Sequence, residues 1–543
     1  MVNQYQWKIK AKVPSVKKKG WLLKILAQNR ELTSTAKLNE FLNPTLEQIL
    51  AVKLTDLEKG TKRVISAIKS KEKIIVYSDY DADGLCATAI MWETLYDQGA
   101  NVMPYVPHRI KEGYGMAIAA IEQMAKEGVK LIITVDQGVT ATQQVSRAKE
   151  LGIDVVITDH HVLPKILPIA HAMVHSTALC GAGVSWRFAW EIISQNNPDY
   201  KEKLLQKLEL AALATIADLV PLLGGSRSIV KLGLENLTKT KRPGLLALIR
   251  SAKVKGAVGT HEIGHILAPR INAMGRIEHG LDSLRLLCAK NQKQADELAS
   301  LLTKTNTRRQ DLTSKAVESA LGMVSDEVLI GVVFHQEWHE GVIGLVASRL
   351  VETYNRPMIA ISQGQKFSKG SARSIPGFNI LEAIRESSEF LVDAGGHPMA
   401  AGFTIETKHI QVFKDKISKY TATKITQDLL TKQIEIDCEL EESDLTLENL
   451  KSIDQFEPYG VGNPNPYFVT RNMTLEDVRA VGAESRHLKL QLDGIHAIGF
   501  NMGSLQSELR PGYKVDVVYN LAEDKYNSNG SLQLKIKDIT VKN

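Results

Sequence analysis

Apolar residues along the chain come in short β-branched bursts separated by longer stretches with helical spacing. Ile74, Ile75 and Val76 form the first burst, and residues 85–99 (LCATAIMWETLYDQG) follow with a helix-like pattern. VKLIITVDQGV at 129–139 and IDVVITDHHV at 153–162 repeat the burst. LELAALATIADLVPLLG at 208–224 reads as a buried helix that stops at Val220 and Pro221. Strands alternating with helices predict an α/β fold with a mainly parallel sheet. Residues 290–323 lack Gly and Pro until Gly322 and place Ala295, Leu298 and Leu302 at helical spacing, which predicts a long connecting helix. On it, Arg308 and Arg309 are expected to be exposed. VLIGVVF and RPMIAIS then read as strands around a helix, opening a second α/β domain, with Gly395 and Gly396 making a tight turn before His397. From about 432, KQIEIDCEL, HLKLQLDG, HAIGFNM, YKVDVVYNLAE and SLQLKIKDITV are short strands broken by turn signals. They predict a β-barrel of OB type.

Polar ligand types appear where the apolar bursts stop. Asp79, Asp81, Asp83 and Gly84 follow the first, Asp136 and Gly138 the second, and Asp159, His160 and His161 the third. Asp218 closes the helical stretch. If the strands are neighbours, Asp81, Asp83, Asp136, His160 and Asp218 meet at one edge of the sheet, where open α/β sheets place ligands. Converged carboxylates stay ionised together only around a cation. Hard oxygens with one or two imidazoles suit Mn²⁺ or Mg²⁺ better than zinc, and the acids suffice for two ions. An EF-hand does not fit D-x-D-x-D-G here, because the twelfth position is Ile90 and a strand precedes. HEIGH at 261–265 matches H-E-x-x-H, yet Gly264 sits inside it and Pro269 follows, which disfavours a zinc protease helix.

The 543 residues are too many for a single core. Their 44% hydrophobic and 24% charged content is ordinary for a globular protein, and the +6 net charge permits a polyanionic partner. Cys86, Cys180, Cys288 and Cys438 are scattered without C-x-x-C spacing, as expected of reduced thiols in a cytoplasmic protein. The basic N-terminus has no apolar leader and no run reaches membrane-span length, so no membrane role is expected. Arg109 and Lys111 in PHRIKEGYG, and Ser371 and Arg373 in GSARSIPG, sit among small residues where a guanidinium can grip phosphate.

DYDADG (79–84), TVDQGV (134–139), TDHH (158–161) and ATIADLVPL (214–222) resemble the four motifs of the DHH phosphoesterase family. VPHRIKEGYG, LCGAGV, APRINAMGRI, WHEGVIGLVASRL, GSARSIPGFN, GGHPMAAGF and PYGVGNPNPYF extend the likeness over nearly the whole length, within the branch that degrades single-stranded DNA. The resemblance implies a two-metal hydrolase that removes nucleotides from the 5′ end of single-stranded DNA during repair and recombination. Asp79, Asp81, Asp83, Asp136, His160, His161 and Asp218 would form the catalytic metal site, with Asp79 and His161 either ligands or phosphate contacts. Arg109, Ser371 and Arg373 would hold the 5′ phosphate, and Arg276 and His397 would contact the scissile region. A cleft too narrow for a duplex would explain the single-strand preference. A single-strand-binding protein and a helicase are the protein partners it suggests.

On this reading residues 1–69 are a basic tail with helices and 70–235 the DHH catalytic domain. Residues 236–324 are a helical region with the connecting helix, 325–428 a DHH-associated substrate-binding domain, and 429–543 the OB-like domain. Two departures stand out. The segment after His161 is short and lacks an Asn-Pro, and an extra C-terminal domain of some relatives is not expected. Two other functions compete: a DHH hydrolase of short oligoribonucleotides or cyclic dinucleotides, and a non-catalytic single-strand binder. The barrel and connecting helix speak against the first, and the intact acids and DHH against the second.

Overall fold

A computed structural model describes residues 5–109, 111–113, 115–325, 328–524 and 531–542. The chain opens with strand β1 (Gln6–Ala11), and helices then lead into a five-stranded sheet. Its strands are β2 (Lys73–Tyr77), β3 (Asn101–Tyr105), β4 (Val129–Val135), β5 (Asp154–Asp159) and β6 (Ala172–His175). The order is β3-β2-β4-β5-β6 and every pairing is parallel. Ile74 and Val76 of β2 join Leu131, Ile133 and Val156 in one core, with residues of helices Ala82–Asp97 and Gly181–Asn196. Ile75 and Tyr77 point the other way, to Ile132, Val155 and Ile157 and the helices Ile118–Lys126 and Thr142–Glu150. Burial on both faces is why these strands read as continuous apolar runs. β3 lies on one side of β2 and β4 on the other, so the strand order reverses between β2 and β4. A crevice at the carboxyl ends of such a reversal is where a ligand fits.

Two compact units divide the chain. One comprises Asn39–Gln310 and Pro458–Pro464, and the other Met1–Leu38, Asp311–Glu457 and Asn465–Asn543. Helix Gln292–Leu321, 30 residues long, carries the chain from the first into the second. It is the connecting helix expected from the Gly- and Pro-free stretch, except that Arg309 is half-buried rather than exposed.

The second unit contains β7 (Gly331–His335), β8 (Met358–Ser362), β9 (Phe367–Arg373), β10 (Leu391–His397) and β11 (Ala400–Glu406), in the order β10-β11-β9-β8-β7. Only β7 and β8 pair in parallel. Gly395 and Gly396 are not the expected turn; they lie inside β10, opposite Gly402 and Ala401. Gly396 has φ +139°, and a Cβ there would fall 2.4 Å from the Ala400 carbonyl oxygen. The glycine permits a close strand approach, and the chain reverses one residue pair later.

The remaining strands are β12 (Gln433–Glu439), β13 (Phe468–Val481), β14 (His487–Leu492), β15 (Ile495–Gly499), β16 (Lys514–Glu523) and β17 (Leu532–Val541). β13-β14-β15-β17-β16 close on β13 as a five-stranded barrel. β13 was absent from the expected strands. Its register shifts between Thr470 and Met473 and between Leu475 and Asp477, so its first half pairs with β16 and its second with β14. Strand β12 stands outside the ring and pairs in parallel with β1.

That pairing corrects the basic N-terminal tail. Lys8 and Lys10 are exposed on an edge strand, a placement that discourages further strand addition. Trp7 packs with Ile434, Ile436 and Val518 and donates its Nε1–H to Asp538 at 2.7 Å. All four cysteines are free thiols, and among the described residues no helix is long and apolar enough to cross a membrane. Trp7→Ala should lower the unfolding free energy of this unit by about 2 kcal/mol, through lost packing and one lost hydrogen bond to a carboxylate. A urea midpoint unchanged at constant slope would show β1 to be dispensable.

Candidate metal centre

β2 ends at Tyr77 and the chain turns through Ser78, Asp79 and Tyr80 into helix Ala82–Asp97, with Asp81 as its N-cap. Asp81 Oδ1 accepts hydrogen bonds from the Asp83 N–H at 3.0 Å and the Gly84 N–H at 3.1 Å. A capping carboxylate is thereby pinned in place. A Cβ on Gly84 would lie 2.7 Å from the Asp79 Cβ, so glycine is what lets the helix start this close to Asp79. Asp83 is buried, and its two oxygens accept from the Gly181 and Ala182 N–H groups, each at 2.7 Å. These amides open helix Gly181–Asn196, within the LCGAGV stretch. Gly181 is constrained as well: a Cβ there would come within 2.5 Å of Asp136 Oδ1.

Asp136 follows β4 in a left-handed conformation (φ +62°), held by its N–H to the Thr158 carbonyl at 3.0 Å. Asp159, the last residue of β5, closes the third apolar burst but is not among the ligands expected from the sequence. Its Oδ1 accepts from the His160 N–H (2.7 Å), the His161 N–H (3.1 Å) and His161 Nδ1 (2.7 Å), and its Oδ2 from the Val139 N–H (3.0 Å). It fixes the His161 ring. Asp218 caps the end of helix Leu208–Ala217 with its side chain 31% exposed. His160 Nε2 then faces Asp136 Oδ1 at 3.2 Å, Asp218 Oδ2 at 3.6 Å and Asp83 Oδ2 at 3.8 Å.

The seven expected ligands fall into three overlapping groups, each with ligand atoms within 4.8 Å of one another. The groups are Asp136, His160 and His161; Asp83, His160 and Asp218; and Asp79, Asp81 and Asp136. Burial, followed by mutual repulsion, pushes Asp79 and Asp136 well above the usual carboxylate range. The same causes lift Asp83 to about 6 and Asp218 to about 8. For Asp159 burial works upward, yet the hydrogen bond and charge of His161 hold it below its ordinary value. For His161 burial works downward, yet Asp159 first, then Asp218 and Asp79, raise it to about 9. Asp136 Oδ1 is buried with no hydrogen-bond partner. Divalent cations would relieve both the repulsion and that orphaned oxygen, and this oxygen-rich donor set fits Mn²⁺ or Mg²⁺. Cys180 is no competitor, because burial pushes its thiol far up.

Arg109 stacks over the Tyr80 ring at 5.0 Å, and Arg276 lies within electrostatic reach of the same Tyr80. Asn272, also passed over in the sequence although APRIN drew notice, accepts the Ala82 N–H at 2.7 Å and braces the turn beside Asp81. Within the other unit, Ser371 and Arg373 share a face of β9, and Arg373 Nη1 donates to Ser371 Oγ at 3.1 Å. Both lie against the first turn of helix Ile343–Tyr354: a Cβ on Gly344 would be 3.0 Å from Arg373 Nη2 and from Ser371 Oγ. Guanidinium, hydroxyl and helix N-terminus together favour an anion. His397 pairs with Ala400, which pairs with Arg373, so all three residues sit at one end of this sheet. His261, in the short turn Thr260–Glu262, stacks at 4.6 Å on His265 of the π-helical turn Ile263–Leu267, and neither joins any of the metal-capable groups found among the described residues.

Known proteins match this arrangement. Residues 73–216 match the DHH family N-terminal domain, 325–423 the DHHA1 domain and 436–538 the RecJ OB domain. The single-stranded-DNA-specific exonuclease RecJ of Bacillus subtilis is 37% identical over 89% of this chain, which spans 63% of that protein's length. RecJ of Haemophilus influenzae is 31% identical over 95% of both chains. The crystal structure of Thermus thermophilus RecJ in complex with Mn²⁺ superposes with TM-score 0.87 at 28% identity, covering 99% of this chain and 80% of that one. The chain belongs to the RecJ family.

Proposed function

We propose that this protein is a metal-dependent exonuclease that removes 5′-mononucleotides from the 5′ end of single-stranded DNA. The observation that carries the reading is the set of three overlapping acid and imidazole groups at the reversal between β2 and β4. The RecJ relatives and the Mn²⁺-bound structure name the same substrate class and a fitting ion. Asp81, Asp83, Asp136, His160 and Asp218 would hold the cations, with Asp79 and His161 completing the set. When bound, such ions supply Lewis acidity and lower the pKa of water, which makes hydrolysis feasible at neutral pH. The chain's own groups do the positioning. Backbone amides hold Asp81 and Asp83, and Asp159 takes the Nδ1–H of His161, leaving Nε2 of that ring as the atom for a ligand bond or a phosphate oxygen. Arg109, Ser371 and Arg373 would hold the 5′ phosphate and so set direction, while Arg276 and His397 would contact the scissile region. Water adds to phosphorus and the bond to the 3′ oxygen breaks, releasing a nucleotide with its 5′ phosphate and leaving a new 5′ phosphate on the strand.

The work divides along the chain into catalytic residues 70–235, substrate-binding residues 325–428 and a nucleic-acid-binding stretch from 429. The matched DHH, DHHA1 and OB ranges support that division. Single-stranded DNA arises in the cytoplasm through unwinding, so a helicase and a single-strand-binding protein are the partners this substrate suggests, and four free thiols suit that compartment.

Digestion of 5′-labelled and 3′-labelled single strands with Mn²⁺ should release labelled mononucleotide at once from the first and shorten the second slowly. Asp136→Ala should lose several kcal/mol of transition-state stabilisation, roughly three decades in rate. Cleavage confined to di- to pentanucleotides would replace the exonuclease with a short-oligonucleotide hydrolase. Ser371→Ala with Arg373→Ala should erase about tenfold of any preference for a 5′-phosphorylated over a 5′-hydroxyl strand, the equivalent of one charge-assisted hydrogen bond. Equal loss on both substrates would remove the phosphate assignment.

Cation-free protein should also show an inverted pH dependence of stability. Asp83 near 6, Asp218 near 8 and His161 near 9 lie above their unfolded values, so the native state binds more protons. Their contribution is complete at low pH and is lost as pH rises through those values. The Tm in EDTA should therefore fall between about pH 5.5 and about pH 8.5, and saturating Mn²⁺ should abolish the fall by displacing the protons. A Tm that rises across this interval in EDTA would contradict the electrostatic account.

A further inference from the structure

A cavity of about 610 Å³ shares no residue with the acid cluster. It lies between the end of helix Ala82–Asp97, residues 200–209, the loop before helix Pro243–Ser251, and residues 288–290. Its floor is an ion network. Arg242 donates Nη1 and Nη2 to the two oxygens of Glu93 at 2.7 and 3.0 Å, and Nε to Glu209 Oε1 at 3.0 Å. Lys207 Nζ donates to Glu93 Oε2 at 3.0 Å, and Asp97 Oδ2 accepts from the Tyr200 hydroxyl at 2.6 Å. Every carboxylate lining the cavity is thus engaged within its wall.

Arg242 is matched in full, but the lysines are not: Lys207 meets one carboxylate and lies 5.7 Å from the Tyr200 ring. Lys207 is only 5% exposed, and two of its three N–H donors have no acceptor among the described residues. Burial also lowers Lys207 from its ordinary value, a cost that an anion in the cavity would offset. Lys203, Lys239, Lys241 and Lys290 are exposed at the mouth, and none pairs with a carboxylate among the described residues. Aromatic surface stands beside them: Lys290 lies over the Tyr96 ring at 5.2 Å and Lys203 over Tyr200 at 5.5 Å, with Trp92 on the same wall.

We propose that this cavity is a second ligand site for a nucleoside phosphate, with Lys207 and the rim lysines on the phosphates and the aromatic rings around the base. The volume is that of a small-ligand pocket, whereas a nucleic-acid strand requires an extended groove. Nucleotides are also the product class of the proposed reaction, so occupancy would register nucleotide supply. The site itself does not depend on the exonuclease reading.

The test uses the full chain in EDTA and N-methylanthraniloyl-ADP, read by energy transfer from tryptophan. Saturable binding is expected, weakened at least about tenfold in Lys239→Glu with Lys241→Glu and unchanged in Asp136→Ala. Lys203→Glu with Lys290→Glu gives an independent second variant, and both pairs should keep exonuclease activity on single strands. ATP should displace the probe at least about tenfold better than inorganic triphosphate. Absent binding, binding indifferent to both lysine pairs, or binding lost in Asp136→Ala would overturn the proposal. Equal displacement by triphosphate would overturn it in favour of a plain phosphate site.

Discussion

Packing Asp79, Asp83 and Asp136 out of water within reach of one another is the constraint on which the unit of the parallel sheet depends. Each is at most 5% exposed, and burial with mutual repulsion raises all three. A protein can keep such a cluster only by protonating it or by supplying positive charge. Backbone amides provide part of that charge: Asp81 and Asp83 are met by the first turns of two helices, whose N-termini are electropositive. Asp136 has no such help at Oδ1, which leaves the demand for a cation concentrated there.

The same demand explains local sequence choices that look incidental one by one. Gly84 and Gly181 stand where a Cβ would strike Asp79 or Asp136, so each lets a helix N-terminus approach a carboxylate. Leu219, following Asp218, takes a left-handed conformation (φ +59°) and is 68% exposed. Bulky residues rarely accept that backbone, and here it ends the helix directly after the acid.

Much of this was legible because strands buried on both faces announce themselves, and acids at their ends are conspicuous against the apolar runs. Asp218 stood out for the same reason, as the one acid closing an apolar helix. Asp159 was less legible because its part is played through His161, and periodicity says nothing of such pairings. Asn272 hid likewise in a helix far along the chain, and Tyr80 between two louder acids. β13 escaped because it changes partner midway, which scrambles the alternation expected of a strand. β1 read as a tail because its lysines dominate the pattern, while only two rings, Tyr5 just before it and Trp7 within it, pack against the strands beyond. Gly395 and Gly396 signalled a turn, although close strand approach calls on glycine equally.

On the proposed function, chemistry and anion recognition would fall to different units. The acid cluster belongs to the unit of the parallel sheet, whereas Ser371, Arg373 and His397 belong to the unit of the mixed sheet and barrel. Each set is organised by its own backbone: strand ends and helix N-termini for the acids, one end of a hairpin and one helix N-terminus for the anion grip. A substitution in one set should therefore leave the other's local geometry intact. If the proposed roles hold, loss of the acids should abolish turnover without disturbing Ser371 and Arg373, and loss of that pair should weaken recognition of the strand's end without disturbing the acids. Because both sets would act on one strand, they share a partner in the complex, and the non-additivity of a combined substitution measures how far end recognition and turnover are coupled.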